Sequence, residues 1–148
     1  MLKQEGYEFM GGAFEVYNEL GFGMAEEVYQ QSLEIELSLR QIDYASKAEL
    51  EIYYKGNRLN TRYRPDLLVY SEIVVELKAA KELLPEHYAQ LANYMRIASK
   101  RVGYLVNFGS RSGLEWKRFV IDSLPLDCLG PTKAAGPEER ADQTDDLK

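Results

Sequence analysis

Tyr63-Arg64-Pro65-Asp66-Leu67-Leu68-Val69-Tyr70-Ser71-Glu72-Ile73-Val74-Val75-Glu76-Leu77-Lys78-Ala79-Ala80 reads as a strand, a tight turn and a second strand. Asp66 interrupts the apolar run of the first strand, and Glu76 and Lys78 sit two apart in the second. Side chains alternate faces along a strand, so Glu76 and Lys78 point the same way. Charges set among β-branched residues cost several kcal/mol each when buried without partners, so they require one. A metal ion is one candidate. The plainer alternative is a same-face ion pair on an exposed sheet edge.

Composition bounds the problem. A chain of 148 residues, 45% hydrophobic and 28% charged, fits one domain with a single core. One cysteine, Cys128, excludes an internal disulfide, and with a single histidine it argues against a Cys/His zinc site. The opening MLKQEGYEFMGG carries no export signal, and no apolar run approaches the ~20 residues needed to span a bilayer, so a cytoplasmic protein without membrane contact is expected.

The net charge of −6 is unevenly spread. Residues 1–51 hold 11 acidic and 3 basic groups (−8), residues 52–118 hold 6 and 12 (+6), and residues 119–148 hold 7 and 3 (−4). The basic block contains Asp66 and the E-x-K strand, and a local basic surface decides whether a phosphate backbone is attracted. Lys55, Arg58, Arg62 and Arg64 are equally compatible with plain solvated positions.

In chain order, Tyr7, Met10, Phe14, Tyr17 and Leu20 recur at helical spacing and predict a helix over about 5–20. Gly21-Phe22-Gly23 breaks it. A second helix over about 24–41 has Met24, Val28, Ile35 and Leu39 on one stripe and Ala25, Tyr29, Leu33 and Leu37 beside it, with Glu26 and Tyr29 one turn apart. Alternation then marks a strand at about 50–54 and a turn at Lys55-Gly56-Asn57-Arg58, where Gly and Asn suit positive φ. Pro85 opens a helix to about Ser99, with His87, Gln90 and Tyr94 on one stripe. Val102–Phe108 is apolar enough for a central strand, and a last strand covers about 115–121. Residues 131–148 lack any core-forming pattern and are expected to be a disordered acidic tail on a domain spanning 1–130.

Asp near one strand end, a short turn, and E-x-K in the next strand form the signature of the PD-(D/E)xK nuclease superfamily. Gly23-x-x-Glu26-x-x-Tyr29, with YYKGNRL at 53–59, RPDLLV at 64–69, VVELKA at 74–79, AQLANY at 89–94 and VGYLVNFG at 102–109, resembles its GxxExxY family over about residues 8–121. The resemblance implies an α/β (α+β mixed sheet) restriction-endonuclease-like fold, an αβββαβ core with an extra N-terminal helix. It implies Glu26, Asp66 and Glu76 as ligands of Mg²⁺ or Mn²⁺, the Leu77 carbonyl as a further ligand, Lys78 acting on the nucleophilic water, and Gln90 and Tyr94 near the substrate. The family usually has Pro at Phe22 and His at Tyr17, and neither departure removes a catalytic group.

The expected function is metal-dependent hydrolysis of phosphodiester bonds in nucleic acid, DNA first. The alternatives are a catalytically silent module that binds nucleic acid or protein on the same fold, and a structural interaction protein. A homodimer is compatible with each.

Overall fold

The computed structural model describes residues 1–122 and the backbone of Gln143–Asp146. The chain runs α1 (Lys3–Leu20), α2 (Glu26–Leu39), β1 (Tyr44–Ser46), β2 (Leu50–Tyr54), β3 (Asn57–Tyr63), β4 (Leu67–Val69), β5 (Ile73–Lys78), α3 (Pro85–Ile97), β6 (Val102–Asn107), β7 (Glu115–Ile121) and β8 (Gln143–Asp146). The main sheet has the order β1-β4-β5-β6-β7-β8, and β2 with β3 forms a separate two-stranded ribbon. β5 and β6 pair in parallel and the other neighbours are antiparallel, so the sheet is mixed. The chain passes between β5 and β6 through α3, the long crossover that parallel strands require.

Two apolar layers sandwich the sheet. Ile73, Val75 and Leu77 of β5, with Val102, Tyr104 and Val106 of β6, pack with Phe9, Ala13 and Val16 of α1 and Tyr29, Leu33 and Leu37 of α2. Val74 and Leu105 belong to the other layer, with Leu91 and Met95 of α3 and Ile52 and Tyr63 of the ribbon. Alternation therefore puts Glu76 and Lys78 on the α3 and ribbon side. β6 is buried along its whole length, as its apolar run predicts for a central strand. Each fully buried Leu, Ile or Phe contributes roughly 1.5–3 kcal/mol, so these two layers dominate the stability.

Several expectations need correction. The main sheet's first strand is Tyr44–Ser46, absent from the sequence reading, while Leu50–Tyr54 leaves the main sheet to pair with Asn57–Tyr63. Alternating residues reveal a strand without revealing its partner, and a three-residue edge strand is too short to show a period. At the ribbon turn Lys55 (φ 50°) and Gly56 (φ 79°) take positive φ, and Asn57 already belongs to the strand.

Each helix buries only part of the apolar residues that helical spacing picks out. On α1 the buried side is Gly6, Phe9, Met10, Gly12, Ala13 and Val16, whereas Tyr7 and Phe14 are 75% and 40% exposed. On α2 the Tyr29–Leu33–Leu37 stripe is core, while Met24, Val28, Ile35 and Leu39 face outward. Small residues decide this. A Cβ on Gly6 would lie 1.9 Å from the Tyr104 hydroxyl and one on Gly12 3.1 Å from Leu37, so the glycine side of α1 lies against its neighbours.

The tail expected over 131–148, and the domain boundary at 130, lie outside the described residues apart from β8, whose backbone pairs with β7. Among the described residues no helix is long and apolar enough to cross a membrane.

Candidate active site

The GxxExxY segment is built around one hydroxyl. Gly21 (φ 70°) and Gly23 (φ 106°) take left-handed backbone, which glycine adopts without steric cost, and so turn the chain from α1 into α2. The Tyr29 hydroxyl donates to the Gly21 carbonyl (2.5 Å) and accepts from the Met24 N–H (3.1 Å), while its ring stacks on Phe108 at 4.6 Å. This bridge fixes the turn that delivers Glu26 as the first residue of α2. There the helix dipole favours a carboxylate. Tyr17 donates to the Ser110 carbonyl (2.7 Å).

Asp66 is held from three sides. Its Oδ2 accepts the Leu77 N–H (2.8 Å), tying it to the middle of β5, and its Oδ1 lies 3.8 Å from the Lys47 ammonium. Its backbone carbonyl accepts from Lys47 N–H (3.1 Å) and from Gln30 Nε2 (3.0 Å), Gln30 being 2% exposed. Asp66 thus sits beside the E-x-K strand by covalent register and by hydrogen bonding together.

Glu76 is partly buried and accepts a 2.6 Å hydrogen bond from the Tyr63 hydroxyl. Tyr63 is 6% exposed and stacks on Tyr94 at 4.4 Å, linking the carboxyl to α3. Burial pushes the Glu76 carboxyl up to about 7. The Tyr63 bond opposes that rise, the adjacent Asp66 carboxylate adds to it, and the Lys78 charge offsets part of it. Glu26 is also raised, first by partial burial of its carboxyl and then by Asp66, with Lys78 and Lys47 opposing. Water reaches much of Glu26, so its shift is the more readily screened.

The three acids and Lys78 therefore feel one another's charge. Among the described residues, however, no three carboxylates stand close enough to form a closed cage for an ion.

Glu76 and Lys78 open into a cleft of about 200 Å³ whose walls include Arg62, Tyr63 and Arg64 from the ribbon side and His87, Gln90 and Tyr94 from α3. Of the sequence-predicted residues, Glu76, Lys78, Gln90 and Tyr94 line this cleft, and Asp66 and Glu26 adjoin it electrostatically through Glu76 and Lys78. Leu77 is buried, and its N–H serves Asp66. His87 accepts the Leu84 N–H at Nδ1 (3.0 Å), which caps α3 and leaves Nε2 as the ring's remaining polar atom. Arg64 is paired with Glu49 (2.5 Å).

The sequence reading missed Tyr63, Lys47 and Gln30. None has a spacing signal, because each acts through a contact between segments distant in the chain.

Beyond Lys78 the backbone is clamped. Asn107, 0% exposed, donates from Nδ2 to the Ala80 carbonyl (2.9 Å) and to Glu115 (2.9 Å), and its Oδ1 accepts from Ala80 N–H (2.9 Å) and Gly109 N–H (3.0 Å). The end of β5 is thereby fixed against β6.

A solved structure, the crystal structure of SSO0001, shares this fold with a TM-score of 0.50 and 22% sequence identity, over 62% of this chain and 48% of that one. This chain thus spans about half the length of that protein, and at this identity the likeness speaks for the fold alone. No curated protein matches. The family model of the PD-(D/E)XK nuclease superfamily matches residues 3–119, the stretch that carries both helices, the Asp66 turn, the E-x-K strand and α3. With that match over most of its length and this mixed-sheet architecture, the chain belongs to the PD-(D/E)XK nuclease superfamily.

Proposed function

We propose that the protein is a divalent-metal-dependent phosphodiesterase acting on nucleic acid, DNA first, in the GxxExxY branch of its superfamily and in a cytoplasmic setting. One observation carries the reading. Asp66 and Glu76 are adjacent carboxyls, with the Glu76 pKa pushed up to about 7 by burial first and by Asp66 second, beside a lysine and on a cleft lined by Arg62 and Arg64.

The donor set fits a hard cation. Two close carboxylates, with Glu26 within electrostatic range, form an open oxygen-rich site of the kind Mg²⁺ or Mn²⁺ takes, since Mg²⁺ keeps several waters. Asp66 and Glu76 would hold the ion, with Glu26 and the Leu77 carbonyl completing the protein's share. When bound, such an ion supplies the Lewis-acid charge that stabilises a phosphodiester as negative charge develops on it.

The chain's own residues do the rest. Lys78 presents its ammonium toward the same phosphate, where a preorganised positive charge stabilises the negative charge that develops in the transition state. Tyr63 holds the Glu76 carboxyl in one orientation. Gln90 and Tyr94 line the substrate cleft, and Arg62 and Arg64 attract the phosphate backbone.

The test is a melting titration with Mg²⁺ and Mn²⁺. A ligand that binds only the native state stabilises it by mass action, about 2.7 kcal/mol at a hundred times Kd. The wild type is expected to gain melting temperature and Asp66→Asn is expected to gain none, because the amide still accepts from Leu77 but brings no charge. Equal responses from the two proteins would refute the metal site.

A further inference from the structure

A second cavity is on the other face of the sheet from Glu76 and Lys78. It measures about 840 Å³ and lies between α1, the end of α2 and the sheet strands β6 and β7. That size falls within the roughly 300–1,000 Å³ usual for small-molecule sites, whereas the catalytic cleft has about 200 Å³.

Its walls resolve the puzzle of α1. Tyr7, Met10 and Phe14, three residues of the helical apolar pattern of α1, line this cavity. Tyr7 and Phe14 therefore expose aromatic surface at a concave site, where a ligand would remove it from water. The floor is aromatic as well. Tyr104 and Trp116, on adjacent strands and the same sheet face, stack at 6.1 Å between ring centres.

Charge is asymmetric around these rings. Among the described residues, Lys3, Arg40 and Arg118 line the cavity with one carboxylate, Glu8, which already accepts from Tyr70 (2.7 Å), while Arg118 donates to the Met1 carbonyl. Arg40 uses its Nε on Glu36 (2.7 Å), and a guanidinium nitrogen lies 3.0 Å from where a Cβ on Gly11 would stand. The missing side chain at Gly11 leaves room for Arg40 to lie over the helix at the cavity. A guanidinium presents planar donors suited to phosphate or carboxylate, and an aromatic floor suits a flat ring.

We propose that this cavity binds a small planar aromatic ligand carrying a phosphate or carboxylate, at a site separate from the catalytic cleft. A nucleoside monophosphate and an aromatic acid share that chemistry. The proposal does not depend on the nuclease reading.

Trp116 is the single tryptophan of the chain and lines the cavity, so its emission reports occupancy directly. The full-length protein is titrated with AMP, 4-hydroxybenzoate, adenosine and inorganic phosphate. A saturable change is expected with AMP or 4-hydroxybenzoate, and which of the two binds tighter distinguishes a phosphate from a carboxylate ligand. Adenosine, without the anion, is expected to bind about ten-fold more weakly than AMP, and phosphate without the ring to leave the emission unchanged.

Arg40→Ala and Tyr7→Ala, both at exposed positions that the fold tolerates, should each weaken binding at least five-fold. Asp66→Asn should leave it unchanged, which separates this site from the catalytic cleft. The proposal is overturned if none of the probes gives a saturable change up to millimolar concentration, or if both cavity variants bind like the wild type. It is equally overturned if Trp116 emission follows protein concentration alone while sedimentation shows a dimer, because a second copy then fills the groove.

Discussion

Glu76 combines two opposing demands: as a proposed ligand it must be ionised, yet burial and Asp66 hold its proton to about 7 against an ordinary 4.5. A carboxyl whose pKa is raised by folding binds protons more tightly in the native chain, so its contribution to stability is present below about 4.5 and is lost as the pH rises through about 7. Wild-type melting temperature should therefore fall across this window more steeply than that of Glu76→Gln, measured in chelator. Metal has the opposite dependence, since a ligand must shed its proton to bind. Apparent Mg²⁺ affinity should rise up to about ten-fold per pH unit below 7 and level off above it. A wild type and Glu76→Gln with superimposable pH profiles would contradict this account of the residue.

Legibility at this scale followed local contrast. Asp66, Glu76 and Lys78 stand out because charges interrupt apolar strands. Tyr63 looks like any strand aromatic in the sequence, and only the fold brings its hydroxyl to Glu76.

At the scale of elements, the site depends on the junction where β5 ends against β6. Gly109 packs backbone to backbone there: a Cβ would lie 2.4 Å from the Ala80 carbonyl oxygen and 2.5 Å from the Ala80 nitrogen. Backbone cannot yield as a flexible side chain can. Gly109→Ala should thus cost about 2–4 kcal/mol in denaturant unfolding and lower metal affinity, because it displaces the segment following Lys78. By contrast, an added methyl at Gly103 meets chiefly the Met95 sulfur, which can move, so the loss there should be smaller.

Elements were legible where period or punctuation was strong. Gly21-Phe22-Gly23, Pro85 and the apolar run of β6 placed a break, a helix start and a central strand. Which face of α1 or α2 turns inward was not, because both helices carry two adjacent apolar stripes and the choice lies with glycines that admit Tyr104 and Leu37. That the β2–β3 hairpin stands apart from the main sheet was equally hidden, since sheet membership is a property of the assembled fold.

The whole molecule separates charge: a protein of net charge −6 places Arg62, Arg64 and Lys78 of its basic block on the cleft beside Glu76. Binding of nucleic acid should therefore weaken steeply with salt despite the acidic total. Arg62→Ala should lower the slope of log affinity against log salt by about 0.9, the value for one phosphate contact on duplex DNA. Filter binding at several salt concentrations measures it, and an unchanged slope would remove Arg62 from the interface.

The most direct test of the central claim is the cleavage rate of Lys78→Met beside wild type, with Mg²⁺ or Mn²⁺, on single-stranded, duplex and branched nucleic acid. Lys78 touches the cleft without holding the fold together, so the variant should keep its metal-induced gain in melting temperature and most of its affinity. Its rate should nevertheless fall by about 100-fold or more, the scale of losing one preorganised charge-stabilising group. An undiminished rate in Lys78→Met, or a wild type that binds nucleic acid with a steep salt slope yet cleaves none of these substrates, would contradict the account, the latter outcome pointing instead to a binding module.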